Sequence, residues 1–299
     1  MHVIALDFSK AFDTVRHGTL IQKMTKFPLP DFVFNWIVDY LEQRKHCTKM
    51  NDEMSGMLQV NSSIVQGSGI GPCAFVYNAS DLHPAHHGNL MPRYADDTYL
   101  IVPGRNSSTI PEEMRQIEEW ATVNNLKLNT SKSLEIIVRH PGSRKHTVPD
   151  PPQQPGIERV ESMVVLGINI QSNFKFNLHV DKLATRAAQQ FYALRVLGSH
   201  GMFGPSLWDV CKSSMISQMM YASSAWWGFV DEAGKRRLQS IIDKAKRKRF
   251  LPVEFDSFEL CCQNADDKLF HDILNNQNHV LNFLLPPIKT TTYDLRPTA

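Results

Sequence analysis

Arg93-Tyr94-Ala95-Asp96-Asp97-Thr98-Tyr99-Leu100 decides how the rest of this chain is read. The apolar and aromatic residues on either side, Leu90 to Tyr94 and Thr98 to Val102, predict strand, turn, strand, with the two carboxylates at the turn. On a regular strand neighbouring side chains point to opposite faces, so two adjacent Asp residues there would not share a metal. A hairpin turn relaxes that constraint: Asp96 can sit at the tip facing a cleft while Asp97 flanks it. Taken alone, an acidic pair at a turn is a solvated turn. The apolar neighbours argue against that, and so does a second acidic strand end elsewhere.

That second site is Val3-Ile4-Ala5-Leu6-Asp7-Phe8-Ser9-Lys10-Ala11-Phe12-Asp13. Four apolar residues followed by Asp read as a buried strand whose C-terminal end emerges at a carboxylate. If it lies beside the Asp96 hairpin, Asp7 and Asp96 converge at one end of a sheet. Two such carboxylates suit a pair of Mg²⁺ ions, which take hard oxygen ligands and share substrate phosphates.

Leu6 to Asp13, Gln66-Gly67-Ser68-Gly69-Ile70-Gly71-Pro72 and Tyr94-Ala95-Asp96-Asp97 resemble, in order, the first three palm motifs of reverse transcriptases. The resemblance is closest to non-LTR, LINE-type retrotransposons of the broad jockey and CR1-like group. Asn129-Thr130-Ser131-Lys132-Ser133 and Val165-Leu166-Gly167-Ile168 look like the next two motifs. Each motif alone is weak, whereas five in order over most of the chain are specific. Val65 departs from the pattern, since many such elements carry Pro there.

The resemblance implies an α+β fold: a polymerase palm, with an antiparallel sheet packed on helices, over 1–172, then a mainly helical thumb-like and C-terminal region over 173–299. It implies an RNA-directed DNA polymerase taking an RNA template, a DNA primer and deoxynucleoside triphosphates, with two Mg²⁺ ions or Mn²⁺ in their place. Asp7, Asp96, the supporting Asp97 and the backbone carbonyl of Phe8 would be the metal ligands. Phe12 matches the position beneath the nucleotide sugar, where it would clash with a 2′-hydroxyl. Gln66 and Gly67 would border nucleotide and template, Tyr94 would abut the primer terminus, and Lys132 would protonate pyrophosphate. Leu166 and Gly167 fall in the primer grip. Asp13 lies past the strand end and reads as a structural or capping residue. Other retroelement domains would share the polyprotein. The chain opens almost directly on the first palm motif, so the expectation is an N-terminally truncated portion that extends primers poorly alone. A catalytically silent, nucleic-acid-binding derivative is the alternative.

The chain has 299 residues, 42% hydrophobic and 21% charged, the balance of an ordinary globular protein. Its five cysteines are odd in number and irregularly spaced, which argues for a reducing compartment rather than a disulfide framework. The N-terminal apolar run stops at Asp7, too short for a signal peptide, and no stretch is long enough for a membrane span. The expectation is an intracellular, soluble protein of cytoplasm, nucleus or both.

Helices are predicted from about Thr14 to Lys26, after Asp31 as N-cap, from Pro72 and from Pro111. Phe32, Trp36, Ile37, Tyr40 and Leu41 recur at helical spacing and read as core, whereas Glu112, Glu113, Glu118 and Glu119 read as mostly outward. His83-Pro84-Ala85-His86-His87 lacks a second ligand cluster and reads as a solvated turn. Residues 141–156 carry five prolines and read as a linker. Met163 to Ile170 is predicted as strand, and helices are predicted from His179, over Leu207 to Trp227, Leu238 to Phe250 and Leu269 to Leu285. The basic run Lys244 to Arg249 is read as a solvated helix end, a nuclear localisation signal or a nucleic-acid backbone contact through Lys246, Arg247 and Lys248.

Overall fold

A computed structural model describes residues 1–65, 67–139 and 150–287. Gln66 and most of the proline-rich linker therefore lie outside the described residues. The chain divides into two compact units, Met1–Gly167 with Gln171–Phe174, and Ile168–Ile170 with Lys175 onward.

The first unit is built on a five-stranded sheet. Its strands are β1 (His2–Leu6), β2 (Arg93–Tyr94), β3 (Asp97–Val102), β4 (Leu134–Ile137) and β5 (Glu158–Arg159), in the spatial order β2-β3-β1-β4-β5. The central β1 is antiparallel to both neighbours, with Ile4 opposite Leu100 on one side and Glu135 on the other. Alternation turns Ile4, Leu6, Leu100 and Val102 into the main core. Helices His17–Met24, Gly71–Asn78 and Ile110–Val123 complete that core with Leu20, Phe75 and Ile117. Ile4 and Leu100 are fully buried, each contributing about 1.5–3 kcal/mol. The other face carries a smaller cluster of Val3, Ile136 and Met163.

The α+β class holds, with one refinement: β5 joins β4 in parallel, so the sheet is mixed at that edge. A buried carboxylate explains the edge. Glu135 accepts from Arg159 Nε at 2.6 Å and from the Gln154 backbone N–H at 3.3 Å, and lies 3.0 Å from His2 Nε2. The short strand is thus tied to the sheet by side-chain charge as well as by its ladder.

Several local expectations need correction. Phe32 and Trp36 are exposed, at 76% and 54%, while Leu41 is the buried residue of helix Asp31–Leu41. Glu113 is fully buried rather than outward, because it accepts the backbone N–H groups of Ala85 and His86 and the Asn89 amide. It thereby ties down the His83–His87 loop. Met163 to Ile170 is two short strands, Ser162–Val165 and Ile168–Gln171, around a turn at Leu166-Gly167 with φ of 45° and 88°.

The second unit is mainly helical, with Asn177–Ser199, Pro205–Cys211, Glu232–Arg247 and Phe258–Asn275 around buried Trp226, Phe258 and Leu194. The expected helix from Leu207 to Trp227 runs through a π turn at Lys212–Ile216 and stops at Met220, where Ala222 takes φ 48°. The next two helices start earlier than apolar spacing suggests. Asp231 Oδ1 accepts the Gly234 N–H at 2.8 Å and Ser257 Oγ accepts the Leu260 N–H at 3.1 Å, so N-caps set both starts. Among the described residues, no helix is long and apolar enough to cross a membrane.

Candidate active site

β1 ends at Leu6, which faces Thr98 of β3. Continuing that antiparallel register by one residue sets Asp7 opposite Asp97. Both main-chain groups of Asp7 are taken by the turn that precedes β4. Its N–H donates to Ser133 Oγ at 3.1 Å, and its carbonyl accepts the Asn129 N–H at 2.8 Å. The main chain is held, and the half-buried carboxylate faces a cleft.

Phe8 bridges to Leu128 in a ladder whose bonds run from Ser9 N–H to Lys127 carbonyl and from Asn129 N–H to Asp7 carbonyl. In that pattern Phe8 points its own N–H and carbonyl to the other edge, the side on which β3 pairs with β1. The Phe8 carbonyl is therefore directed toward the hairpin that carries Asp96.

That hairpin pairs Arg93 with Thr98 and Tyr94 with Asp97, leaving Ala95-Asp96 as a two-residue turn. Ala95 has φ 54°, and Asp96 does not share the positive angle. A positive φ at the first turn position alone is the type II′ pattern, where glycine is usual. A side chain held there stores about 1–3 kcal/mol of strain, of the kind found at functional sites.

Asp7, Phe8, Phe12, Asp96, Asn129 and Lys132 line one cleft of about 430 Å³. Three segments far apart in sequence bring two acidic residues, Asp7 and Asp96, and two basic ones, Lys10 and Lys132, to one space. Phe12 lies at the cleft with its ring stacked on Phe75, centroids 4.8 Å apart and planes at 27°. Burial, then the Asp96 and Asp7 carboxylates, raise the Asp97 carboxyl above its ordinary value. Negative charge thus accumulates at this end of the sheet.

The remaining expected residues stand apart from the cleft lining. Asp97 flanks the turn, as its place in the hairpin requires, and Tyr94 is 69% exposed beside it. Gly67 has φ 83°, a conformation that suits glycine, and Gln66 is outside the described residues. Leu166 and Gly167 form the turn between Ser162–Val165 and Ile168–Gln171, and Leu166 is partly exposed there. Lys246, Arg247 and Lys248 belong to the helical unit. Asp13 is an exposed residue of the short helix Ala11–Thr14. Asn129, Ser133 and Phe75 take part in the site but were not singled out from sequence. The first two sit within the fourth motif, and Phe75 carries no signal beyond its apolar character.

Among the described residues, no three His, Cys, Asp or Glu side chains converge as a ready metal-binding cluster. The acidic residues lining the cleft are instead Asp7 and Asp96, whose carboxylates offer hard oxygens. That set suits Mg²⁺, which keeps several waters and completes its shell with substrate phosphates, better than an ion needing a full protein cage.

The sequence profile described as "Reverse transcriptase (RNA-dependent DNA polymerase)" matches residues 1–170. The chain belongs to the reverse transcriptase family. It is 23% identical over 256 residues to the "Probable RNA-directed DNA polymerase from transposon X-element" of Drosophila melanogaster, covering 81% of this chain and 27% of the relative. It is 26% identical over 143 residues to the "RNA-directed DNA polymerase from mobile element jockey" of the same organism, covering 44% and 15%. The jockey-like, LINE-type character of this reverse transcriptase rests on those matches. The chain spans about a quarter or less of these relatives' lengths. Among solved structures, a telomerase from Candida tropicalis bound to a TWJ fragment of telomeric RNA superposes with TM-score 0.46 and 11% identity, covering 91% of this chain and 42% of that one.

Proposed function

We propose that this reverse transcriptase chain carries the site for RNA-templated nucleotidyl transfer to a DNA primer, and that Asp7, Asp96 and the Phe8 carbonyl hold its divalent ions. The observation that carries this reading is the meeting of Asp7, Asp96 and Lys132 in one cleft. Bound there, two Mg²⁺ ions, or Mn²⁺, would lower the pKa of the primer 3′-hydroxyl and neutralise charge on the leaving pyrophosphate. Asp97 adds negative charge beside the ligands. Lys132 gives a proton to the departing pyrophosphate. Phe12 occupies the space a 2′-hydroxyl would need and so favours deoxynucleotides. Gln66 and Gly67 border nucleotide and template, Tyr94 abuts the primer terminus, and Leu166 and Gly167 form the primer grip. Residues 1–172 are the palm and 173–299 the thumb-like region, where Lys246, Arg247 and Lys248 meet duplex phosphates. Other domains of the same retroelement polyprotein are the expected partners, with the cytoplasm or nucleus as the place of work.

An inert nucleic-acid-binding derivative is the weaker reading, since it leaves the convergence of Asp7, Asp96 and Lys132 without a purpose. The test is primer extension on an RNA template. Asp7→Asn and Asp96→Asn should each lower the rate about 10³-fold or more, several kcal/mol of barrier, while Asp13→Asn retains activity. Equal losses from all three would overturn the assignment.

A further inference from the structure

Two clefts in the helical unit meet at Lys248. One, of about 570 Å³, is walled by Phe203, Trp208, Lys246 and Arg249; the other, of about 380 Å³, by Phe191, Tyr192, Arg195 and Lys244. Neither lining contains a carboxylate. Lys244 and Lys248 lie four residues apart, one turn of helix, and so project on the same side. Arg247 lines neither cleft. Among the described residues, the ion pairs of helix Glu232–Arg247 lie at its beginning, Lys235 with Glu232 and Arg237 with Asp181, and none involves the cleft cations.

Aromatic rings are interleaved with this charge. Tyr192 is 63% exposed and Phe203 70% exposed. The Arg195 guanidinium lies 5.2 Å from the Tyr192 ring centre, and the Lys244 ammonium 4.7 Å from that of Phe191. The Trp208 indole N–H donates to the Arg249 carbonyl at 3.3 Å, which fixes the ring in the cleft wall. Large rings left in water beside cations that form no ion pair among the described residues suit a ligand that is both anionic and flat.

We propose that this face binds single-stranded nucleic acid, with unpaired bases stacked on Tyr192 and Phe203 and phosphates neutralised by Lys244, Lys248 and Arg249. Stacking on aromatic side chains along a basic groove is how single strands are held without sequence preference. A duplex offers the phosphates but keeps its base faces stacked inside, so it would leave both rings exposed. The proposal rests on the reading that this chain works on nucleic acid, and adds a subsite for an unpaired stretch.

The experiment is fluorescence anisotropy of the full chain with a labelled single-stranded RNA of about 20 nucleotides and with its duplex. Tyr192→Ala and Phe203→Ala should each weaken single-strand binding about 5- to 100-fold, with duplex binding unchanged, and Tyr192→Phe should restore it. Lys248→Ala should weaken binding and lower the slope of log affinity against log salt by about 0.7. Single-strand binding indifferent to both ring removals would overturn the proposal and leave the face to a protein partner. So would equal losses on duplex, or no binding to either form. Primer extension and its dependence on Asp7 and Asp96 are read separately, so this subsite can fail while the polymerase reading stands.

Discussion

Ser133 Oγ accepts the backbone N–H of Asp7 at 3.1 Å and donates to the Asn129 carbonyl at 2.8 Å, joining residues 126 apart in sequence. One buried hydroxyl therefore fixes the end of the central strand against the turn that carries Lys132. Ser133→Ala removes the acceptor and leaves the part-buried Asp7 N–H without its partner, a loss of about 1–3 kcal/mol. Denaturant unfolding should show that loss. Divalent-ion affinity should fall with it, because Asp7 is then less firmly placed. Unchanged stability and ion affinity would show that Ser133 is not a support.

Phe12 is backed by Phe75, not by solvent. Phe12→Val should admit ribonucleotides, relaxing discrimination by about 10- to 100-fold, the range a steric pocket achieves against one added hydroxyl. Phe75→Ala should relax it in the same direction, since the Phe12 ring loses the surface that holds its orientation. Incorporation of ribo- and deoxynucleotides opposite the same template base checks both. Full discrimination in Phe75→Ala would mean that Phe12 needs no backing.

Glu135 is a fully buried carboxylate that meets Arg159 and His2. Glu135→Ala should destabilise the sheet unit by about 3–5 kcal/mol, because it leaves the part-buried Arg159 guanidinium and the buried His2 ring without their carboxylate. Unfolding in urea measures this. A loss below about 1 kcal/mol, the scale of an exposed pair, would show that the network contributes little.

His179 is buried against Trp226, with ring centres 4.9 Å apart, and its Nδ1 accepts the Asn169 N–H at 3.4 Å. Burial, then the charges of Lys182 and Arg186, push its pKa down from 6.5 to about 4. Between those two values the unfolded chain takes up a proton that the folded chain refuses. Stability of the helical unit should therefore fall as pH drops from 6.5 toward 4. His179→Gln, which keeps an acceptor for Asn169, should flatten that fall. Thermal midpoints of both proteins across the window decide it, and parallel slopes would contradict the account.

The strand ends at Asp7 and Asp96 were legible because hydrophobic runs that stop at a carboxylate leave a plain pattern. The α+β class followed from the same runs read beside the ordered motifs. What stayed hidden depends on distant partners. Glu113 has the local setting of an outward glutamate, and only the Ala85 and His86 N–H groups, which lie far from it in sequence, make burial favourable. Phe32 and Trp36 have core spacing, yet nothing in their own helix determines what lies above them. The starts of helices Glu232–Arg247 and Phe258–Asn275 are set by the N-caps Asp231 and Ser257, which apolar spacing does not mark. The Phe8 carbonyl direction is set by pairing with Leu128, which no local pattern encodes.

The central claim is that Asp7 and Asp96 hold divalent ions together. Mn²⁺ binding to the chain, followed by the paramagnetic resonance signal of the free ion, tests it without any requirement for turnover. The account predicts saturable binding in the wild type, its loss in Asp7→Asn and in Asp96→Asn, and its retention in Asp13→Asn. Wild-type affinity in either of the first two variants, or equal loss in all three, would contradict it.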